Sequence, residues 1–241
     1  MRLCMFHPVD HPMVRGWVGR LDGDHVIQLA AQTLQSFFTG GGSAREHAAY
    51  PLESVSLLAP VLHPPAVRIF ETGTSFAFAN PAAIVGPGSE IEHSHEPSDD
   101  LSQGALVLYA GVAAVIGAEG AIAAFTPFAE WRNPVRAEPK DRDFAFGLGP
   151  VAVTPDELDP NAFETVVRLD GSERPPTRGE AFDWAAARAH AADGTTLFPG
   201  DLLVRPALAV VERVEPGVVV EIEVDGLGTL RHTVQPEVEV S

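Results

Sequence analysis

Residues 101–118, LSQGALVLYAGVAAVIGA, carry no charged side chain, and a second apolar run, AIAAFTPFA at 121–129, follows almost at once. An uncharged stretch of this length has to be shielded from water, by lipid or by a protein core. Gly104, Gly111 and Gly117 punctuate it, Ser102 and Gln103 are polar, and Glu119 follows directly. A buried strand with flanking turns accommodates those residues better than a membrane span does. With 241 residues the chain is long enough to bury a substantial core in one or two units.

Hydrophobic content of 45% and charged content of 20% are ordinary for a globular chain, and Gly 22 with Pro 21 indicates many turns and short strands rather than a helical bundle. The formal net charge of −17 argues against nonspecific binding to nucleic acid, whose phosphates demand a basic surface, and disfavours anionic membranes. Cys4 is the one cysteine, in the apolar run RLCMF, and reads as a buried inert thiol. A chain with no internal disulfide and no signal-peptide pattern after Arg2 is expected in the cytoplasm.

Two units are expected. Residues 1–59 read as a small N-terminal domain in which Asp22-Gly23 separates WVGRL from HVIQL, a hairpin signal. Ala30, Leu34, Phe37 and Phe38 then share a helical face, ended by Gly40, Gly41 and Gly42. LLAPVLHPPAV, with His63 as a solvated linker histidine, leads into residues 60–241. There Val218, Val220, Ile222 and Val224 alternate with Val219, Glu221 and Glu223, the pattern of a strand with one wet face. Asp183 can cap the helix WAAARAHAA, with Gly194 closing it. The fold class is mainly β with a few helices (α+β).

RLCMFHP at 2–8, LLAPVLHPPAVRIF at 57–70, ANPAAIVGPGSEI at 79–91, the core at 101–152, TLFPGDLLV at 196–204 and VEPGVVVEIEVDGLGTLRHTV at 214–234 together span nearly the whole chain. In these segments it resembles the fumarylacetoacetate hydrolase family, whose members cleave or rearrange small keto acids with a divalent metal. The resemblance implies a mixed β-sandwich or β-roll main domain, a homodimer, and a helical lid after the segment matching Val67–Phe70. That lid carries the family's water-activating histidine. Here VRIFETGTSFAFANP passes directly to the next strand, so no residue inherits that role.

The family's three metal carboxylates, Glu-x-Glu and a later Asp before Trp, fall on Tyr109, Gly111 and Glu130, the last followed by Trp131. One carboxylate and one phenol make a poor Mg²⁺ site, since that ion takes oxygen ligands in octahedral geometry. No metal and no cofactor are therefore expected. Glu130 can serve as a general base, or as a surface or arginine-paired glutamate. The family's lysine corresponds to Arg142 in KDRDF, which can fork onto a carboxylate or pair with Asp141 or Asp143. Its Gly-Thr-Gly-Thr loop corresponds to Val204-Arg205-Pro206-Ala207, where Arg205 offers a second substrate contact or a rim charge. A separate metal idea comes from His93 and His95, which would face one way on an extended segment.

The expected ligand is a small anionic carbonyl compound, held by Arg142 and Arg205 and processed at Tyr109 and Glu130. Metal-independent lyase, isomerase or decarboxylase-type chemistry fits these residues better than hydrolysis. Two alternatives stay open. One is an inactive binding or structural partner of an active paralogue. The other is an ordinary metal-dependent hydrolase that recruits Asp99, Asp100 or Glu119.

Overall fold

The computed structural model describes residues 1–92 and 105–236. Its centre is a long antiparallel hairpin, Leu106–Ile116 with Ile122–Arg132, built from the apolar runs that open the sequence argument. Tyr109 stands opposite Glu130 and Gly111 opposite Phe128. The turn between them uses Gly120 at φ 68° and places Glu119 at φ 54°, exposed at the far end.

Both faces of the hairpin are covered, which is why it carries so little charge. Leu106, Leu108, Ala110, Val112, Ala114 and Ile116 enter one core cluster with Phe125, Ala129 and Trp131. Ala113, Val115, Ala124 and Phe128 point the other way into a second. The strand period of two makes this division automatic.

Around the hairpin runs a 14-stranded mixed sheet. On one side lie Ala152–Val153, Arg2–Pro8, Trp17–Asp22, His25–Leu29 and Glu46–Pro51; on the other lie Leu202–Val204, Val67–Thr72 and Ser75–Ala79. A five-stranded sheet packs against it, with Thr165–Leu169, Val219–Val224 and Gly228–Val234 at its centre. The mainly β class with few helices holds. Of the described residues only Leu34–Thr39 (α1) and Trp184–Ala192 (α2) are α-helical, and neither is long and apolar enough to cross a membrane.

Local chemistry accounts for the element ends. The Trp17–Asp22 hairpin turns at Gly23, whose φ of 58° is open to glycine at no steric cost. Helix α1 begins four residues later than Ala30, because Thr33 and Ser36 form a capping box ahead of Leu34. Helix α2 starts at Asp183, whose carboxylate accepts from the Ala185 and Ala186 amides. In Val219–Val224, Val220, Ile222 and Val224 are buried while Val219, Glu221 and Glu223 stay half-exposed. Cys4 is buried, which pushes its thiol up to about 12 and makes it unreactive.

One buried polar contact ties neighbouring strands of the larger sheet and another ties the two sheets together. Arg68 on Val67–Thr72 donates to Asp201 at 3.1 Å, and the Asp201 carboxylate also accepts from the Phe198 amide, which fixes the Pro199-Gly200-Asp201 turn. His232, from the smaller sheet, is wedged against the larger one: its Nδ1 accepts from Trp131 Nε1 at 3.1 Å, and its ring fills the space over Gly147. A Cβ on Gly147 would sit 2.0 Å from His232 Cε1, so this glycine is required by close packing.

Both contacts of His232 generate measurable consequences. Burial lowers its pKa to about 4 from 6.5, with the Gly86 backbone partly opposing. Between those two values the unfolded chain binds the proton and the native chain does not, so stability is complete above pH 6.5 and is lost as pH falls towards 4. The loss from this residue is roughly 3 kcal/mol. Urea denaturation at pH 7 and pH 4.5 should show it, and His232→Asn, which keeps an acceptor for Trp131 but does not titrate, should flatten the slope. Gly147→Ala should destabilise the fold at every pH by about 1–3 kcal/mol through overpacking, measured by the same denaturation.

Candidate functional site

On the central hairpin, the face that carries Ala113 and Val115 into the second core runs on to Gly111, Tyr109 and, across the register, Phe128, Glu130 and Arg132. Gly111 has no side chain to fill that face, and a Cβ there would meet Ala207 Cα at 3.7 Å, an ordinary contact. The space beyond is a cavity of about 220 Å³, the size of a small organic acid.

A break in the neighbouring strand roofs this cavity. Leu202–Val204 and Ala209–Val214 both pair with the hairpin, but between them Pro206 has no N–H to offer and the chain bows away. The bow is held at its ends by the Arg205 amide on the Val112 carbonyl at 3.2 Å and the Leu208 amide on the Ala110 carbonyl at 2.8 Å. A further wall is the Val67–Thr72 and Ser75–Ala79 hairpin, which contributes Ile69, Phe70, Glu71 and Ala77. Its loop is only Gly73-Thr74, so this hairpin contributes no lid.

All four residues singled out in the sequence, Tyr109, Glu130, Arg142 and Arg205, line this one cavity. Their settings differ. Tyr109 is half-buried, directly opposite Glu130. Glu130 is buried, and its Oε1 accepts from Arg132 Nε at 2.8 Å. Arg142 returns to the mouth of the cavity on the loop after Asn133. Neither expected partner holds it there: Asp143 pairs with Lys140, and among the described residues Arg142 makes no ion pair. Arg142 also borders a side lobe of about 90 Å³ lined by Asn80, Asp143 and Phe146.

Arg205 is buried rather than placed at a rim. One terminal nitrogen donates to the Glu180 carbonyl at 2.6 Å, its guanidinium lies 5.8 Å from the centre of the Phe182 ring, and its Nε has no partner among the described residues. It makes no ion pair among the described residues, and burial lowers its pKa. It therefore adds positive potential to the cavity wall, as a charge incompletely matched by protein.

Arg132 is the residue that sequence reasoning missed. It stands two positions after Glu130 on the same strand face, and its guanidinium carbon lies 4.4 Å from the Tyr109 ring centre, a cation–π contact. Burial works against its charge, but the hydrogen bond and charge of Glu130, then Tyr109 and Asp141, outweigh it and raise its pKa. The signal was the spacing Glu-x-Arg on a strand, the same spacing used to place Tyr109 and Gly111.

The residues at the family's metal positions do not fit a divalent ion. They offer one phenol, one bare glycine and one carboxylate already engaged by a guanidinium, where Mg²⁺ or Mn²⁺ would need several unengaged oxygens. Among the described residues no group of three or more His, Cys, Asp or Glu side chains is arranged to hold a metal. Glu119 does not line the cavity. His93, His95, Asp99 and Asp100 lie outside the described residues.

Solved structures share this fold over the full chain. Maleylpyruvate hydrolase from Sphingobium sp. SYK-6 in complex with manganese(II) ion and pyruvate superposes with a TM-score of 0.79 at 19% identity, covering 98% of this chain and 100% of that one. For 5-carboxymethyl-2-hydroxymuconate delta-isomerase from Mycobacterium smegmatis the TM-score is 0.75 at 23% identity, with 98% and 100% covered. For 2-keto-3-deoxy-D-arabinonate dehydratase in its apo form it is 0.77 at 16% identity, with 99% and 100% covered. At these identities the likeness establishes the fold alone. No curated protein sequence matches the chain. The family model for the fumarylacetoacetate (FAA) hydrolase C-terminal domain matches residues 63–235, from the Pro-rich connector to the end of the smaller sheet, and the chain belongs to that family.

Proposed function

We propose that the cavity binds a small anionic carbonyl or carboxylate compound and processes it by metal-independent proton transfer, in lyase, isomerase or decarboxylase-type chemistry. The observation that carries this reading is electrostatic. In a chain of net charge −17, the cavity gathers Arg132, Arg142 and Arg205 against Glu71 and Glu130 among the described residues. A concave site that reverses the sign of its own protein is suited to an anion.

In this reading Arg142, which makes no ion pair among the described residues, takes the ligand carboxylate by a forked contact. Glu130 removes or returns a proton at the carbon beside the carbonyl, and the Tyr109 phenol donates to the oxygen on which negative charge develops. Arg205 stabilises that charge from the wall. Hydrolysis is disfavoured because the short Gly73-Thr74 loop brings no water-activating group. The fold neighbours named as hydrolase, isomerase and dehydratase are compatible with several outcomes on one scaffold. The engagement of Glu130 by Arg132 favours a second reading, in which the pocket binds an acid without turnover and the protein serves as a partner of an active paralogue.

Proton exchange separates the two. Metal-stripped protein should catalyse exchange of the C3 protons of a 2-oxo acid such as pyruvate with D₂O, followed by NMR. Glu130→Gln should slow this by at least about a hundredfold. No exchange, with acid binding retained, would establish the binding-only reading instead. Mg²⁺ or Mn²⁺ at millimolar levels should leave the melting temperature unchanged, whereas a site occupied at a hundredfold excess over its dissociation constant would stabilise the fold by about 2.7 kcal/mol.

A further inference from the structure

Arg132 is poised for more than pairing. Its Nε is committed to Glu130 and its flat face to Tyr109. Its two terminal nitrogens have no hydrogen-bond acceptor among the described residues, and the side chain keeps 30% exposure in the cavity that it lines. A guanidinium held on one edge and one face presents its remaining edge in a fixed direction, with two parallel donors matched to the two oxygens of a carboxylate or of a 2-oxo acid.

We propose that Arg132 is a cation built into the chain where the family's carboxylate pattern would hold a metal ion, so that the ligand's oxygens land on its free edge with Glu130 as the counter-charge. The proposal deepens the reading of the cavity as an anion site and rests on it. It also explains why the three altered positions go together. Once a permanent cation occupies the face, extra carboxylates at 109 and 111 are no longer needed to attract one. A glycine at 111 leaves room for the ligand, and an aromatic ring at 109 holds the guanidinium flat. Arginine is less strongly hydrated than a small ammonium or a divalent ion, so it can work beside a hairpin whose two-residue loop adds no cover.

Two measurements on metal-stripped protein test this. In the first, oxalate is titrated calorimetrically into wild type, Arg132→Gln, Arg132→Lys and Arg142→Gln. Oxalate should bind wild type without metal, Arg132→Gln should weaken it by at least about tenfold, and Arg132→Lys, which keeps the charge but not the fork, should fall between. In the second, Mn²⁺ is tested by thermal shift on the triple variant Tyr109→Glu, Gly111→Glu, Glu130→Asp and on the same triple with Arg132→Ala. Mn²⁺ should stabilise only the quadruple variant, because in the triple the guanidinium still holds the cation position. Oxalate binding that is lost in Arg142→Gln but unchanged in Arg132→Gln would leave the anion site standing and overturn the role of Arg132. Absence of oxalate binding to wild type would remove the anion-site reading itself and the role of Arg132 with it. Mn²⁺ stabilisation of the triple equal to that of the quadruple would also overturn the proposal.

Discussion

The register of the central hairpin is the constraint on which the rest depends. With Tyr109 opposite Glu130, one face of two long strands collects Tyr109, Gly111, Glu130 and Arg132, and the other collects Leu108, Ala110, Ala129 and Trp131. A slip of one residue in Ile122–Arg132 would drive the Glu130 carboxylate and the Arg132 guanidinium into a dry core and turn Trp131 outward. The burial of both faces over most of the hairpin makes that slip prohibitive. The cavity face and the core are therefore specified by the same alternation, and His232, reaching across to Trp131, locks the opposite face.

Charge is distributed against the grain of the molecule. A surface dominated by carboxylates surrounds a cavity in which guanidinium groups outnumber them. Each of the three arginines is restrained differently: Arg132 by an ion pair and a ring, Arg205 by a backbone carbonyl and burial, Arg142 by the loop that delivers it. Arg205 is the most exacting of these. A guanidinium with 4% exposure and no counter-ion among the described residues is unfavourable in isolation, and Arg205 is made tolerable by the Glu180 carbonyl and by the Phe182 ring.

Much of this was legible in the sequence, for physical reasons that also mark where legibility ended. Strand period and turn chemistry determine the hairpin at Gly23, the wet face of Val219–Val224 and the caps of α2 from local residues alone. Family motifs brought Tyr109, Glu130, Arg142 and Arg205 into one place although they lie far apart in the chain. Pairings were harder. Asp143 went to Lys140 and not to Arg142, and Glu130 went to Arg132, because a loop's path and a side chain's reach decide these choices rather than spacing. The start of α1 after Ala30 illustrates the same limit. A helical face could be read from Leu34, Phe37 and Phe38, but the capping box of Thr33 and Ser36 is made of small polar residues that resemble a loop until they are folded.

The short loop at Gly73-Thr74 and the residues at 109, 111 and 130 are one design problem rather than two. A divalent ion gains most from a closed, water-poor site, because its attraction to a substrate oxygen is diluted wherever bulk water can compete. Here the wall at Val67–Thr72 turns back after the two-residue loop Gly73-Thr74, and that hairpin adds no cover to the cavity. In such a setting a hard ion held by few ligands would exchange freely, whereas a cation bonded to the chain cannot leave. Arg132 also brings its own geometry: Glu130 sets its direction and Tyr109 its plane, so a ligand meets donors already aligned. An open pocket therefore asks for a tethered, preorganised charge, and the Glu130–Arg132–Tyr109 arrangement supplies one from two adjacent strands.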